Sequence, residues 1–148
     1  MSFTERFTEQ YQLGAVEYAD SLAAATYNGA WQSMRDFHRA VAILIVGDIQ
    51  VGGTVDFILQ QATDTAGTGA KAITGKAITQ LTQAGGDGDE ACIIELRTEE
   101  LDVSNGFDCI RWRLTLGTAA SEVAVLVLRG SPPRYQPVST TAWTEVVT

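Results

Sequence analysis

The sequence predicts a mainly β fold, an antiparallel β-sandwich or a jelly-roll-like variant of it. Apolar residues alternate with polar ones in several segments, which is the period of a half-buried strand. These segments recur at roughly ten to fifteen residues, and Gly-rich turns rather than helical patterns separate them. The 148 residues suit one ordinary domain. We expect an N-terminal helix or arm (1–22), a sandwich body (23–130) and a Pro-containing C-terminal tail (131–148).

The first segment differs from the rest in its periodicity. Ser2 and Glu5 have the spacing of a capping box, which satisfies free amides where a helix begins. Phe3, Phe7 and Tyr11 then recur every four residues, on one face of a helix. The pattern fits a short helix packed on the body and equally an arm that crosses to a neighbouring subunit.

The first half of the body contains three predicted strands. Residues Thr26 to Met34 form a short strand or bend, and Phe37 to Val46 form a strong strand. The apolar run from Ala40 to Val46 is unbroken, which favours a strand covered on both faces. Residues Thr54 to Gln61 alternate, as expected for a half-buried strand.

The second half begins with a loop at residues 62–72 and continues with predicted strands at Ile73–Thr82, Ala91–Thr98, Phe107–Leu116 and Glu122–Leu128. Asn105-Gly106 is a strong hairpin signal, because both residues tolerate positive φ. In the strand that follows this pair, the residues predicted to point inward are Ile110, Trp112, Leu114 and Leu116.

The C-terminal segment is predicted to be an extended tail. Proline cannot donate to a sheet ladder, so a central strand is excluded there. The tail keeps apolar side chains at Tyr135 and Trp143. It either packs on its own domain or reaches across a neighbour. Its prolines are Pro132, Pro133 and Pro137.

Charge and composition exclude several classes of partner. The net charge is −8 and the chain has only two lysines, so nucleic acid is not expected as the main ligand. No apolar run approaches the length of a membrane span, and residues 1–12 lack the pattern of a signal peptide. We therefore expect no membrane association and synthesis in a cytosol. Cys92 and Cys109 are expected to be reduced, buried thiols.

Groups that carry chemistry are sparse, so we expect no enzyme, no cofactor and no metal site. His38 is the sole histidine, and it has no local partners for a zinc site or a catalytic triad. A phosphate-binding loop would need Gly at position 70 and Ser or Thr at position 77, and both residues are Ala. The acidic clusters are interpreted as a solvated turn and a charged strand edge. They comprise Asp87, Asp89 and Glu90, and then Glu99, Glu100 and Asp102.

Several stretches resemble small virion structural proteins of tailed bacteriophages and prophages, over roughly residues 20–138. The most distinctive are 59–64, 67–71 and 73–82. The others are 37–41 leading to Gly47, 100–103, 106–107 and 133–137.

The resemblance implies a virion component, most specifically a head decoration (cement) protein on the outer surface of the capsid, assembled in the host cytoplasm. Its partners would be the major capsid protein and other copies of itself, with a homotrimer expected. There are two alternatives. One is a tail, connector or spike component of the virion, and the other is a receptor- or carbohydrate-binding module. The candidate contacts between subunits are Phe3, Phe7, Tyr11, Pro132, Pro133, Arg134, Tyr135, Pro137 and Trp143.

Overall fold

The computed structural model describes residues 6–130, which form one short helix and ten strands. The helix α1 spans Phe7–Gln10. The strands are β1 (Tyr11–Leu22), β2 (Thr26–Asn28), β3 (Gln32–Ser33), β4 (Arg39–Ile49), β5 (Thr54–Ala62), β6 (Lys71–Ala77), β7 (Leu81–Thr82), β8 (Ala91–Arg97), β9 (Cys109–Gly117) and β10 (Ser121–Gly130).

The strands form two antiparallel sheets. The four-stranded sheet has the order β1-β10-β4-β8. The six-stranded sheet has the order β2-β9-β5-β6, with β3 added to β9 and β7 added to β5. The chain crosses between the sheets after β1, β3, β4, β7, β8 and β9. One edge of the four-stranded sheet is therefore β1 and the other is β8.

The core lies between the two sheets, because each contributes the buried half of its alternating strands. The four-stranded sheet contributes Leu44 (0% exposed) and Val125 (1%), and the six-stranded sheet contributes Phe57 (0%) and Trp112 (2%). Burial of these side chains is the main favourable term in folding. The alternation that predicted the sandwich is thus the alternation that builds its core.

The predicted mainly β, antiparallel architecture is confirmed, and so is a short helix near the N-terminus. The helix is much shorter than the aromatic spacing predicted. Residues 11–22 form strand β1, paired with β10 from Tyr11↔Gly130 to Leu22↔Ser121. The helical interpretation was wrong for these residues, since hydrogen bonding to a long partner strand outweighs a local spacing signal. The predicted C-terminal tail, residues 131–148, lies outside the described residues.

The predicted hairpin at Asn105-Gly106 was also wrong. Gly106 does adopt the positive φ (80°) expected of it, but it ends a 3-10 turn at Val103–Asn105. The flanking strands do not pair with each other, because β8 pairs with β4 and β9 pairs with β5. The segment therefore carries the chain from one sheet to the other.

The predicted strand at residues 73–82 is two strands, β6 and β7, both paired with β5. No helix within residues 6–130 is long and apolar enough to cross a membrane.

Candidate functional site

The outer face of the four-stranded sheet is the most unusual surface of the described chain, because it is apolar. In β4, the inward side chains of Ala42, Leu44 and Val46 are buried, as the alternation requires. The outward residues Ile43 and Ile45 belong to the same uninterrupted apolar run. Ile45 is 54% exposed. The prediction that this run is covered on both faces is thus wrong for the part of the chain described.

Aliphatic side chains continue across all four strands in the middle of this face and across three strands on either side of it. Ile43 lies opposite Leu126 of β10 and opposite Ile93 of β8, and Ile93 is 61% exposed. Directly opposed side chains on one face lie within about 5.5 Å, so each row is one continuous surface. The three rows are Leu13–Leu128–Val41, Val16–Leu126–Ile43–Ile93 and Ala124–Ile45–Ala91. We call this set the apolar face.

One end of the apolar face carries aromatic and basic groups together with one carboxylate, Glu95 of β8, which lies opposite Val41. Phe7 stacks on Tyr11 with ring centroids 4.6 Å apart, and the Arg39 guanidinium lies 5.5 Å from the Tyr11 ring centroid. Arg39 is opposite Arg97 in the neighbouring strand β8. These groups border a hollow of about 800 Å³ whose wall includes Ile93. Phe7 remains 56% exposed, so its ring is only partly supported by the chain itself.

The acidic groups beside this end are held by ion pairs. Lys76 contacts Glu100 at 2.8 Å and donates a hydrogen bond to the Glu95 carbonyl at 2.8 Å. The hydrogen bond from Lys76 lowers the pKa of the Glu100 carboxyl, and a backbone amide at Arg97 acts in the same direction. Arg97 in turn contacts Glu99 at 3.4 Å. Arg39 has no carboxylate partner among residues 6–130.

The opposite end of the apolar face is acidic. The Glu122 side chain lies over Gly47, where a Cβ would be 2.9 Å from a carboxylate oxygen. Asp20 borders the same hollow, which has a volume of about 460 Å³ and also includes Ile45. Neither carboxylate forms an ion pair within the part of the chain that the structure describes. The two ends of the face therefore differ in charge.

The outer face of the six-stranded sheet is polar and internally satisfied. Arg111 donates a hydrogen bond to Gln60 at 2.9 Å and lies 4.6 Å from the Trp31 ring centroid. Gln80 donates to Asp56 at 2.7 Å. The contrast shows that the apolar outer face is a property of one sheet and not of the whole surface.

The acidic clusters considered in the sequence have structural roles. Asp87 accepts a hydrogen bond from the Thr82 amide at 2.8 Å and closes the turn after β7. Asp102 pairs with Lys71, whose hydrogen bond lowers the pKa of that carboxyl. Within residues 6–130, no three His, Cys, Asp or Glu side chains are grouped so that they could hold a metal ion.

The two cysteines lie apart and are free. Cys109 is buried and donates a hydrogen bond to Asp108 at 3.2 Å. Burial raises the pKa of this thiol to about 11, and the hydrogen bond acts in the same direction. Cys92 is only half-buried, so the expectation of two buried thiols is wrong for this residue, although its partial burial still raises its pKa. Both side chains are thus protonated at neutral pH and unsuited to nucleophilic chemistry.

Two of the nine candidate contact residues, Phe7 and Tyr11, can be placed, and both border the apolar face. The other seven lie outside the described residues: Phe3, Pro132, Pro133, Arg134, Tyr135, Pro137 and Trp143. The exposure of Ile45 and Ile93 was not predicted from the sequence. The signal that could have found Ile45 was the unbroken run in β4, which permits either a covered or an exposed second face.

No family model and no curated protein matches the chain. Solved structures give weak likenesses. A chain in the structure of infectious bursal disease virus strain Gx has a TM-score of 0.45 and 12% identity over 84% of this chain and 34% of its own length. The present chain thus spans about a third of that protein.

Two other likenesses cover nearly the whole of both chains. The cowpea mosaic virus top component, naturally occurring empty particles, gives a TM-score of 0.40 and 10% identity over 92% of this chain and 97% of its own. A chain of the disulfide-linked pili of Bacillus endospore appendages gives a TM-score of 0.35 and 14% identity, over 89% of this chain and 99% of its own length. TM-scores below 0.5 do not establish a common fold, so these likenesses carry no functional argument.

Proposed function

We propose that the protein is a structural component of a virus particle, and specifically a bacteriophage head decoration (cement) protein. It binds the outside of the capsid and other copies of itself. The observation that carries the proposal is the apolar face of the four-stranded sheet. The resemblance of residues 20–138 to phage virion proteins is the reason for proposing a bacteriophage particle.

The physical argument concerns the free energy of an apolar surface in water. The exposed parts of Phe7, Ile45 and Ile93 together amount to on the order of 400 Å², before the partly exposed neighbours are added. The largest apolar patch on a typical soluble monomer is about 300–600 Å² and is often functional, so a patch of this size is a candidate interaction site. Such a surface suits a protein that assembles with neighbouring subunits, because burying it against a neighbour supplies the driving force for assembly.

The proposed partners are the major capsid protein and further copies of this chain. The terminal segments, with Phe3 in one and residues 132–143 in the other, remain candidate contacts. The homotrimer expected from the sequence is the alternative to a two-fold dimer, and the mass of the purified protein in solution distinguishes the two.

The test is to locate and count the protein in particles from the strain that encodes it. Purified particles are analysed by quantitative mass spectrometry, with the major capsid protein as the reference, and by cryo-electron microscopy. Copy numbers in the hundreds and density on the outer shell support decoration. A few copies at a tail or connector support the alternative position in the virion. Absence of the protein from purified particles refutes both.

A matched pair of variants tests whether the apolar face is involved. Particles from a strain lacking the gene are mixed with purified wild-type protein, with I93D or with V51D. Val51 is also exposed (85%) but lies in the turn between β4 and β5, away from the apolar face. We expect V51D to decorate like the wild type and I93D to lose occupancy. Equal occupancy of both variants would mean that the face does not contribute.

A further inference from the structure

We propose that the apolar face binds a second copy of this chain, with a two-fold axis that lies between the paired sheets and runs perpendicular to their strands. The inference names a partner for the surface on which the proposed function rests. It follows from three properties of the face: its extent, its charge distribution and the spacing of charged residues along β4.

The extent of the face suits a sheet-on-sheet contact. Stable interfaces bury about 800 Å² on each partner. The exposed portions of Phe7, Ile45 and Ile93, with the half-buried aliphatic residues of the three rows, provide roughly half to all of that area. Two such faces can pack at the usual spacing of about 10 Å between sheets.

The charges decide which two-fold arrangement is favourable. Arg39 stands at one end of the face, where the cations Arg97 and Lys76 and the carboxylate Glu95 also lie. Glu122 stands at the other end, over Gly47. An axis parallel to the strands would place each Arg39 near its own counterpart, where like charges repel. An axis perpendicular to the strands exchanges the ends, so that Arg39 of one copy faces Glu122 of the other. An isologous interface forms each such pair twice.

The spacing along β4 fits the perpendicular axis. Ile43, in the middle row, is four residues from Arg39 and four residues from Gly47. An axis passing over Ile43 therefore brings the Arg39 position of one copy above the Gly47 position of the other. The Glu122 carboxylate already lies at that position. Within residues 6–130, neither Arg39 nor Glu122 forms an ion pair, and the inferred partner of each is the other residue in the second copy.

The first experiment measures the mass of the purified full-length chain by analytical ultracentrifugation across a range of concentrations. The expected species is a dimer of about 32 kDa, twice the chain mass of 15.9 kDa. I45D and I93D are expected to weaken the dimer more than about tenfold, since each places two carboxylates in the interface. V51D is the matched control and leaves the dimer unchanged. A monomeric or trimeric wild type, or dimers insensitive to I45D and I93D, would overturn the inference.

The second experiment tests the axis by exchanging the charges. R39E and E122R each place like charges opposite one another at both ends of the interface, so each weakens dimerisation. The double variant R39E/E122R restores the pairing and should recover most of the lost affinity. A double variant as weak as the sum of the single variants would refute the perpendicular axis. These measurements use purified protein alone, so a failure here leaves the particle experiments above unaffected.

Discussion

The packing of Gly29 against Trp112 allows a quantitative test of the core. A Cβ on residue 29 would lie 2.3 Å from Nε1, 2.6 Å from Cε2 and 2.7 Å from Cδ1 of the indole. Ordinary carbon contacts are about 3.5–4.0 Å, so a methyl group overlaps the ring by more than about 1 Å. Trp112 is only 2% exposed and has core neighbours on its other sides, so it cannot withdraw without disturbing them.

The expected cost of Gly29→Ala follows from two effects. Overpacking a buried ring costs about 1–3 kcal/mol. A backbone shift that relieves the clash strains the hydrogen bond from the Gly29 amide to the Trp112 carbonyl, now 3.0 Å, at about 0.5–1.5 kcal/mol. Alanine recovers about 0.4–1 kcal/mol by restricting the unfolded chain. The net loss is about 2–3 kcal/mol, or roughly 4–12 °C in Tm.

The assay is urea unfolding monitored by circular dichroism and tryptophan fluorescence. Gly88→Ala is the matched control, because its added Cβ would meet only the Gly47 carbonyl oxygen at an ordinary 3.5 Å. We expect this control to remain within about 0.5 kcal/mol of the wild type. If Gly29→Ala unfolds at the same urea concentration as the wild type, the close packing of the two residues is not as described.

The remaining predictions concern titratable groups. The hydrogen bond from Arg35 holds the pKa of Asp108 below its ordinary value of 3.8. The ionised Asp108 carboxylate therefore stabilises the folded state above about pH 4, and this contribution is lost as the pH falls through the pKa of the folded state. Asp108→Asn should flatten the decline in the urea midpoint below pH 4, and an unchanged decline would contradict this assignment. Because burial raises the pKa of both thiols, iodoacetamide at pH 8 should label native Cys109 very slowly and Cys92 slowly, but both rapidly in urea. Mass spectrometry after timed quenching checks this, and native labelling of Cys109 at the unfolded rate would refute its burial.

The sequence predicts the strands of this protein well where alternation is strict. In β9, the four residues predicted to point inward are all buried, including Trp112. When one side of a strand is buried, every second residue is apolar, so the pattern can be recognised in a short stretch of sequence. The position of such a strand in its sheet is set by residues far away in the chain. That is why the Asn105-Gly106 turn was assigned to a hairpin that does not exist.

The N-terminal segment also shows that a local sequence pattern does not determine which element contains it. Phe7 and Tyr11 are four residues apart, and they do stack as the helical spacing suggests. However, the chain leaves the helix at Tyr11, whose φ of −128° and ψ of 133° are those of a strand. The pairing of β1 with β10 could not be inferred from residues 11–22 alone. The local contact was predictable, while the element that contains it was not.

The candidate site lies where the sequence pattern and the fold disagree. A run such as Ala40–Val46 carries no period-two signal, because both faces of the strand are apolar. The natural interpretation is a central strand covered on each side. The described chain covers the inner side with the second sheet and leaves Ile43 and Ile45 on the outer side, next to Ile93. The sequence of β4 fits a strand covered on two faces, and the described residues cover one of them, which supports the proposal that a partner covers the other. That conclusion requires only the sequence of β4, the position of β4 inside its sheet, and the cost of exposing aliphatic side chains to water.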